Sequence, residues 1–292
     1  MSLIQSIPAL KTWLNQANRR QKTLGLVPTM GYLHEGHLSL IKAAKAQNDL
    51  VVVSIFVNPT QFAPGEDFAS YPKDLERDYR LAREAGADVV FHPDAGEIYP
   101  AGASTVVEVE GEMPRKLCGI SRPIHFKGVT TVVSILFHLV GPDRAYFGQK
   151  DAQQAILIQK MVRDLHMPVE IKVCPIVREV DGLAMSSRNI YLNPEERRQA
   201  VCLNGGLQRA EDYLRSGAAD CGSTAKLEDI IRDHIQARDL AVIDYVQILD
   251  GETLEELSSL KPGKSALAAV AVKFGKTRLI DNRVLLGAEV AK

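Results

Sequence analysis

The chain has 292 residues, of which 46% are hydrophobic and 24% are charged, and its formal net charge at pH 7 is -1. This composition is that of a globular protein, which argues against a disordered or fibrous chain. The near-neutral charge gives no reason to expect nucleic acid or an anionic membrane as a partner, so any bound anion must be held locally. Four widely spaced cysteines without a CxxC pair indicate a reducing compartment. Because no segment reaches the roughly 20 apolar residues of a membrane span, we expect a cytoplasmic protein.

The first 180 residues alternate between strand and helix patterns. Runs rich in β-branched residues predict strands at residues 23–27, 50–57, 88–91, 144–147 and 169–177. Helical patterns separate these runs at residues 38–47, 74–85, 128–139 and 152–165. Such alternation predicts one wound parallel α/β sheet of about five or six strands. The run at residues 50–57 is apolar on both faces, as in a central strand that helices cover on each side.

The pattern changes after Asp181 and Gly182, which form a strong turn pair. Helices are predicted near residues 195–215 and 224–237, and strands near residues 243–249, 266–274 and 278–281. We therefore expect a larger domain at residues 1–180, which contains the parallel sheet, and a smaller α+β domain at residues 181–292.

The segment PTMGYLHEGH, residues 28–37, lies where the first predicted strand ends and a helix begins. A helix start offers backbone N–H groups and a positive dipole end, Gly31 and Gly36 let phosphates approach the backbone, and the His34 and His37 imidazoles can donate to phosphate oxygens. Ordinary loop-to-helix histidines are the alternative, but the carboxyl end of a strand in a wound sheet favours a ligand site. A zinc site is disfavoured, because HxxH lacks the spacing of a metalloprotease helix.

Polar clusters follow two further strands. In the segment Asn58-Pro59-Thr60-Gln61, side-chain amides can donate to a carboxylate and accept from a hydroxyl or ammonium group, although a proline turn with capping amides has the same pattern. In FGQKDAQQ, residues 147–154, Lys150 supplies a compact cation, while Asp151 is a reasonable helix cap.

A fourth cluster, Ser186-Ser187-Arg188, lies at the expected domain junction. Two hydroxyls and a guanidinium predict a phosphate-binding segment, and its position predicts that it can close over ATP. An ordinary solvated loop of the same composition is the alternative.

Two further groups of charged residues, which are less specific to one function, lie on either side of the third predicted strand. Arg122, His125 and Lys127 place three possible cations before a helix, as phosphate contacts or as support for the site. Acidic residues at 74, 76 and 78 could serve Mg²⁺, but their spacing is more typical of a solvated helix face, and we assign no metal ligand to the protein.

Together, the PTMGxxHEGH, FVNPTQF, GQKDxQQ and SSRN segments resemble the pantothenate synthetase family. The order and spacing agree through residue 190, whereas the last third is similar in length and coarse pattern only. HxGH alone recurs in class I aminoacyl-tRNA synthetases and small adenylyltransferases, so the resemblance depends on the four segments together.

The resemblance implies a Rossmann-like doubly wound domain, a smaller C-terminal lid domain and a cytoplasmic homodimer. It implies that pantoate and ATP, with Mg²⁺, form pantoyl adenylate, and that β-alanine then attacks the adenylate to release pantothenate and AMP. His37, His34 and Lys150 would be catalytic, with His37 as proton donor. Gln61 and Gln154 would bind pantoate, and Gln61 also β-alanine. The implied ATP-binding residues are Met30, Gly31, Tyr32, Leu33, His34, Glu35, Gly36, His37, Gly148, Gln149, Lys150, Asp151, Val177, Met185, Ser186, Ser187 and Arg188.

Two other classes of function share the phosphate-binding segment. An adenylyltransferase that modifies a phosphorylated acceptor would keep the histidines but would need cations where this chain has the Asn58–Gln61 amides. A nucleotide sensor or RNA-binding module would use the same fold, but the near-neutral charge and the lack of a basic stripe argue against RNA.

Overall fold

A computed structural model describes residues 1–17, 21–218 and 220–287. The described chain forms two compact units. The first consists of Met1–Pro114, Gly119–Gln149 and Gln153–Val177; the second consists of Arg115–Cys118, Lys150–Ala152 and the described residues from Arg178 onward. Residues 18–20 of the first predicted domain, and residues 219 and 288–292 of the second, lie outside the described residues. Within the described ranges, no helix combines the length and the apolar character needed to cross a bilayer.

The first unit contains a sheet of six parallel strands in the order β1-β4-β3-β2-β5-β6. The strands are β1 Ser2–Ile4, β2 Leu24–Thr29, β3 Leu50–Ile55, β4 Val89–Phe91, β5 Arg144–Gly148 and β6 Glu170–Cys174. This confirms the predicted wound α/β sheet. All six residues of β3 are buried, as its apolar sequence predicts for a central strand. The sheet gains β1 beyond the five predicted runs, because a three-residue edge strand is too short to give a sequence pattern.

The helices that precede residue 165 are α1 Ile7–Gln16, α2 Glu35–Gln47, α3 Leu75–Glu84, α4 Ala95–Ile98, α5 Cys118–Ser121, α6 His125–Val140 and α7 Ala152–Asp164. On one face of the sheet, Ile41 of α2 and Ala82 of α3 pack with Val27 and Val53 in a buried apolar cluster. This packing fixes α2 and α3 against β2 and β3, the strands whose carboxyl ends lead into the HxGH and amide segments.

The second unit combines three helices with an antiparallel sheet of order β7-β8-β9 among the described residues. Its elements are α8 Pro194–Ala200, α9 Cys202–Arg215, α10 Thr224–Gln236, β7 Ala241–Asp250, β8 Ser265–Phe274 and β9 Thr277–Leu286. Leu207 of α9 and Ile231 of α10 pack against Val270 and Phe274 of β8. The predicted α+β class is confirmed, although the helix expected near residues 195–215 is interrupted at Val201.

Candidate active site

The segment between β2 and α2 carries the two predicted phosphate-binding histidines. Gly31 and Tyr32 adopt left-handed backbone conformations, with φ of 85° and 51°, and lead the chain into α2. His34 caps α2: its Nδ1 accepts from the Gly36 N–H at 3.1 Å, while the His37 Nδ1 accepts from the His34 N–H at 3.3 Å. The two ring centroids are 4.0 Å apart. Because a backbone N–H can only donate, Nδ1 is the acceptor in each ring, and in the neutral form of the ring the proton is on Nε2.

The backbone N–H groups of this segment are engaged within the protein. Those of Tyr32 and Leu33 each donate to the Asp78 carboxylate at 2.7 Å, and those of His34 and Gly36 donate to imidazole nitrogens. The expectation that unpaired backbone N–H groups receive a phosphate here is therefore wrong for these four residues. An anion at this point of the fold must therefore be held by donors other than these four N–H groups.

Asp78, on α3, is buried with 1% of its surface exposed. Burial raises the pKa of the Asp78 carboxyl, whereas the hydrogen bonds from the Leu33 and Tyr32 N–H groups lower it. The preceding residue, Arg77, donates from Nη1 to the Leu33 carbonyl at 2.9 Å, and its guanidinium lies 5.4 Å from the Tyr32 ring centroid. A solvated helix face is therefore wrong for Asp78. Among the described residues, no group of three or more His, Cys, Asp and Glu side chains is arranged to hold a metal ion.

The amide segment after β3 has a fixed orientation. Asn58 is buried, and its Oδ1 accepts from the Thr60 N–H at 3.4 Å and from the Tyr99 hydroxyl at 2.8 Å. The Asn58 Nδ2 donates to the carbonyl of Gly128 and to Oε1 of Gln61, both at 3.1 Å. Because Oε1 of Gln61 accepts this bond from Asn58, the Gln61 amide has a fixed orientation, and its Nε2 is the end that donates to another group.

Met30 and Gln61 are brought together within the first unit: the Gln61 Nε2 lies 3.3 Å from the Met30 sulfur. A thioether is a weak acceptor, so a carboxylate can readily replace it as the partner of this N–H group. The predicted nucleotide segment and the predicted acid-binding amide are therefore neighbours.

The N-terminal part of α6 supports the Gln61 backbone. A Cβ on Gly128 would lie 2.6 Å from the Gln61 backbone nitrogen, so glycine is required for this close approach. The Gln61 carbonyl lies 3.1 Å from the His125 Nδ1 and accepts from Arg122 at 3.3 Å. Arg122 also pairs with both carboxylate oxygens of Glu66, at 3.0 and 2.5 Å. The cationic segment singled out in the sequence thus holds the backbone of the amide segment.

The remaining first-unit residues lie near the ends of β5 and β6. Gly148 ends β5, and a Cβ there would meet no described atom within 4 Å. Val177 is half-buried after β6. Gln153 is buried and donates to the Met113 carbonyl at 3.0 Å, whereas Gln154 is half-buried and makes no side-chain hydrogen bond within the described part of the chain. Of the two neighbouring glutamines, Gln154 has the amide that is available to a ligand.

The other predicted residues belong to the second unit. The Lys150 side chain is 21% exposed, with its Nζ 3.7 Å from the Asp151 carboxylate, and its carbonyl accepts from Asn282 at 2.9 Å. Ser186 caps a short 3-10 helix, Ser187–Tyr191, by accepting from the Arg188 N–H at 3.2 Å.

The chain on either side of this short helix is tied down within the same unit. Arg178 pairs with both oxygens of the buried Asp281, at 2.6 and 3.0 Å. Arg197 pairs with Asp181 at 2.5 Å. Two ion pairs therefore hold the chain on either side of the Ser-Ser-Arg segment.

A parallel sheet with an HxGH segment at the carboxyl end of a central strand defines an α/β protein of the HxGH nucleotidyltransferase class. Residues 2–284 match the model of a single family, pantoate-beta-alanine ligase. The chain belongs to this family, which catalyses the formation of pantothenate.

Individual relatives agree over nearly the whole chain. The pantothenate synthetase of Acetivibrio thermocellus is 55% identical over 285 residues, which cover 98% of this chain and 99% of the relative. The crystal structure of pantothenate synthetase from Thermus thermophilus is 46% identical, covers 97% of this chain and 99% of its own, and has a TM-score of 0.90. The Francisella tularensis ligase, complexed with β,γ-ATP and β-alanine, is 36% identical, covers 97% of both chains and has a TM-score of 0.77.

Proposed function

We propose that this chain condenses pantoate with β-alanine through an enzyme-bound pantoyl adenylate, releasing AMP and diphosphate. The observation that carries the proposal is the Met30–Gln61 contact, because it joins a donor segment suited to phosphate with an amide suited to a carboxylate. The bond to be made joins these two ligands: a pantoate carboxylate oxygen attacks the α-phosphorus of ATP, and diphosphate leaves. Membership of the family supports the choice of substrates.

In the first half-reaction, ATP would bind residues 30–37, residues 148–151, Val177 and residues 185–188. The Nε2–H groups of His34 and His37 would donate to phosphate oxygens, and Lys150 and Arg188 would offset the charge of the leaving diphosphate. No protein nucleophile is required, so catalysis depends on in-line positioning and charge stabilisation.

Mg²⁺ would enter with ATP, as the metal complex of the substrate. The described residues offer no acidic cluster for a protein-held ion, and Mg²⁺ commonly takes its ligands from phosphates and water.

Gln61 and Gln154 would hold pantoate. The Gln61 Nε2 would exchange its weak Met30 partner for the carboxylate, and the Gln154 amide would meet the hydroxyl groups of the acid. In the second half-reaction, the β-alanine amine would approach near Gln61, attack the acyl carbon, and expel AMP.

The larger organisation is part of the proposal. Residues 1–180 would form the catalytic domain, residues 181–292 would act as its lid, and the protein would function as a cytoplasmic homodimer. The polar segment at residues 185–188, which carries two hydroxyls and a guanidinium, supports a lid that contacts phosphates. Light scattering of the purified protein would measure the oligomeric state.

The decisive experiment follows an isotope. Protein, Mg-ATP, β-alanine and pantoate labelled with ¹⁸O in its carboxylate are incubated together, and each component is omitted in turn. The proposal requires equal amounts of AMP and pantothenate in the complete mixture only, with one ¹⁸O transferred to AMP. An adenylylated acceptor without AMP would instead favour the adenylyltransferase alternative.

A histidine pair tests the donor assignment. His37→Ala should lower the rate of diphosphate release from ATP and pantoate about 10²- to 10³-fold, because it removes one donor to the transferring phosphate. His138→Ala is the matched control, since His138 is exposed on α6 and its Nδ1 faces the Ser134 carbonyl. Equal rates in the two variants would contradict the role given to His37.

A further inference from the structure

Arg77 and Asp78 bind backbone N–H and carbonyl groups of Tyr32 and Leu33, which immediately precede the HxGH residues 34–37. The Asp78 oxygens accept from the Tyr32 and Leu33 N–H groups at 2.7 Å, and the Arg77 Nη1 donates to the Leu33 carbonyl at 2.9 Å. We propose that these two residues, the Arg77–Asp78 clamp, position His34 and His37 for adenylate formation. They are positioning residues, since they act on the segment and not on the substrate. The inference rests on the proposed function.

The segment needs external support because its backbone is in an uncommon conformation. Tyr32 has a positive φ, which a residue with a side chain adopts at an energetic cost, and it follows the left-handed Gly31. Leu33 is fully buried, so its N–H and carbonyl groups cannot turn to water. A Cβ on Gly31 would lie 3.0 Å from the Asp78 Oδ2, so the carboxylate sits close against this turn.

The geometry also determines where an anion can bind. Consecutive N–H groups in a left-handed turn form a concavity that suits an anionic oxygen. In this chain the Asp78 carboxylate occupies the concavity formed by the Tyr32 and Leu33 N–H groups. A phosphate is thereby excluded from these two N–H groups, which lie immediately before His34 in the chain.

The clamp is selective within its helix. Asp74 accepts from the Arg77 N–H, at 3.1 Å, as an ordinary cap of α3, and Glu76 is exposed. Asp78 is the buried acid on α3, and it carries the cost of leaving water. The hydrogen bonds from the Tyr32 and Leu33 N–H groups offset part of that cost.

The test separates the two half-reactions. Adenylate formation is followed as diphosphate release from Mg-ATP and pantoate in a single turnover, and the second step as pantothenate release from synthetic pantoyl adenylate and β-alanine. In Asp78→Asn an NH₂ group faces a backbone N–H, so one hydrogen bond becomes a repulsion and the segment shifts. We expect adenylate formation to slow about 10- to 100-fold, since shifts of about 1 Å have effects of this size, with the second step unchanged.

Matched variants keep the test conclusive. Arg77→Met retains the apolar stem but loses the hydrogen bond to the Leu33 carbonyl. Because Arg77 is partly exposed, this variant should fold. We expect it to slow adenylate formation several-fold and to leave the second step unchanged. Asp74→Ala removes the α3 cap, and Glu76→Gln removes a charge from the same helix; both should leave the ratio of the two rates as in the wild type.

The outcomes distinguish the two proposals. Selective slowing in Asp78→Asn and Arg77→Met supports the clamp. An equal fall in both half-reactions means that only the folded fraction changed, and unchanged rates mean that the clamp has no effect; either result overturns the inference. If the wild type itself releases no diphosphate from ATP and pantoate, the proposed function fails, and the clamp's role fails with it.

Discussion

Gly128 lies where α6 meets the turn that carries Gln61, and its replacement by alanine tests how closely that turn must be positioned. The added Cβ would lie 2.6 Å from the Gln61 nitrogen and from the Thr60 carbonyl carbon and oxygen. These are backbone atoms, so no side chain can rotate away. Because carbon contacts are optimal near 3.5–4.0 Å, the helix and the turn must separate by about 1 Å.

The energetic and functional effects can be estimated separately. Overpacking costs about 1–3 kcal/mol, and alanine regains up to about 1 kcal/mol of helix propensity, so Gly128→Ala should lower the free energy of unfolding by about 0–3 kcal/mol. A shift of about 1 Å in a substrate-positioning group can cost about 100-fold in rate, so kcat/KM for pantoate should fall by roughly that factor. ATP binding should change little, because His34 and His37 are on another segment.

The assay combines urea unfolding, calorimetric ATP binding and initial rates at varied pantoate. Gly96→Ala is the matched control, since it lies in α4 with an ordinary φ and no described atom within 4 Å of an added Cβ. If Gly128→Ala is as stable as Gly96→Ala and retains the wild-type kcat/KM for pantoate, then the close contact does not position Gln61 and the reasoning is refuted.

Two further predictions concern the ion pairs of the second unit. Asp281→Ala should lower the free energy of unfolding by about 3–5 kcal/mol, because it leaves Arg178 without the buried carboxylate it pairs with. Glu195→Gln breaks an exposed helical ion pair and should change the free energy of unfolding, measured in urea, by less than about 0.5 kcal/mol. A hydrogen bond from Arg197 lowers the pKa of Asp181. The stabilisation of the folded protein by this pair is therefore present at neutral pH and is lost as the pH falls through the lowered pKa. Asp181→Asn should therefore cost at most about 1 kcal/mol at pH 7, and the difference from the wild type should disappear in acid; a difference that persists there would contradict the assignment.

The sheet could be predicted where its strands are long enough to show a pattern. The predicted strand at residues 50–57 contains β3, but β3 ends at Ile55, which pairs with Thr29 at the end of β2; the Phe56 N–H still donates to the Thr29 carbonyl at 3.0 Å. β1 has three residues and depends on pairing with β4, which is 85 residues or more away in sequence. Helix α1 was also absent from the prediction, although the Ser6 cap and the following proline are start signals that could have identified it.

From the sequence, site residues could be predicted only where the strand-to-helix pattern places them just after the end of a strand. β2 and β3 are paired in register, so the segments that follow them meet at one edge, as the HxGH and amide motifs suggest. Asp78 could not be found in this way, because its partners Tyr32 and Leu33 precede it by 46 and 45 residues. The charge pattern of α3 resembles a solvated face, and nothing in that pattern separates Asp78 from the exposed Glu76.

The donor geometry has a consequence for how negative charge is balanced. The Nδ1 atoms of His34 and His37 accept from the N–H groups of Gly36 and His34, so these two ring nitrogens are not donors to a phosphate in this geometry. Neutral donors orient phosphate oxygens but add no positive charge. The charge of a triphosphate must then be offset by side-chain cations and by the metal that accompanies ATP, as proposed for Lys150 and Arg188. A whole-chain charge of -1 is consistent with this arrangement, because the cations are needed only at the site.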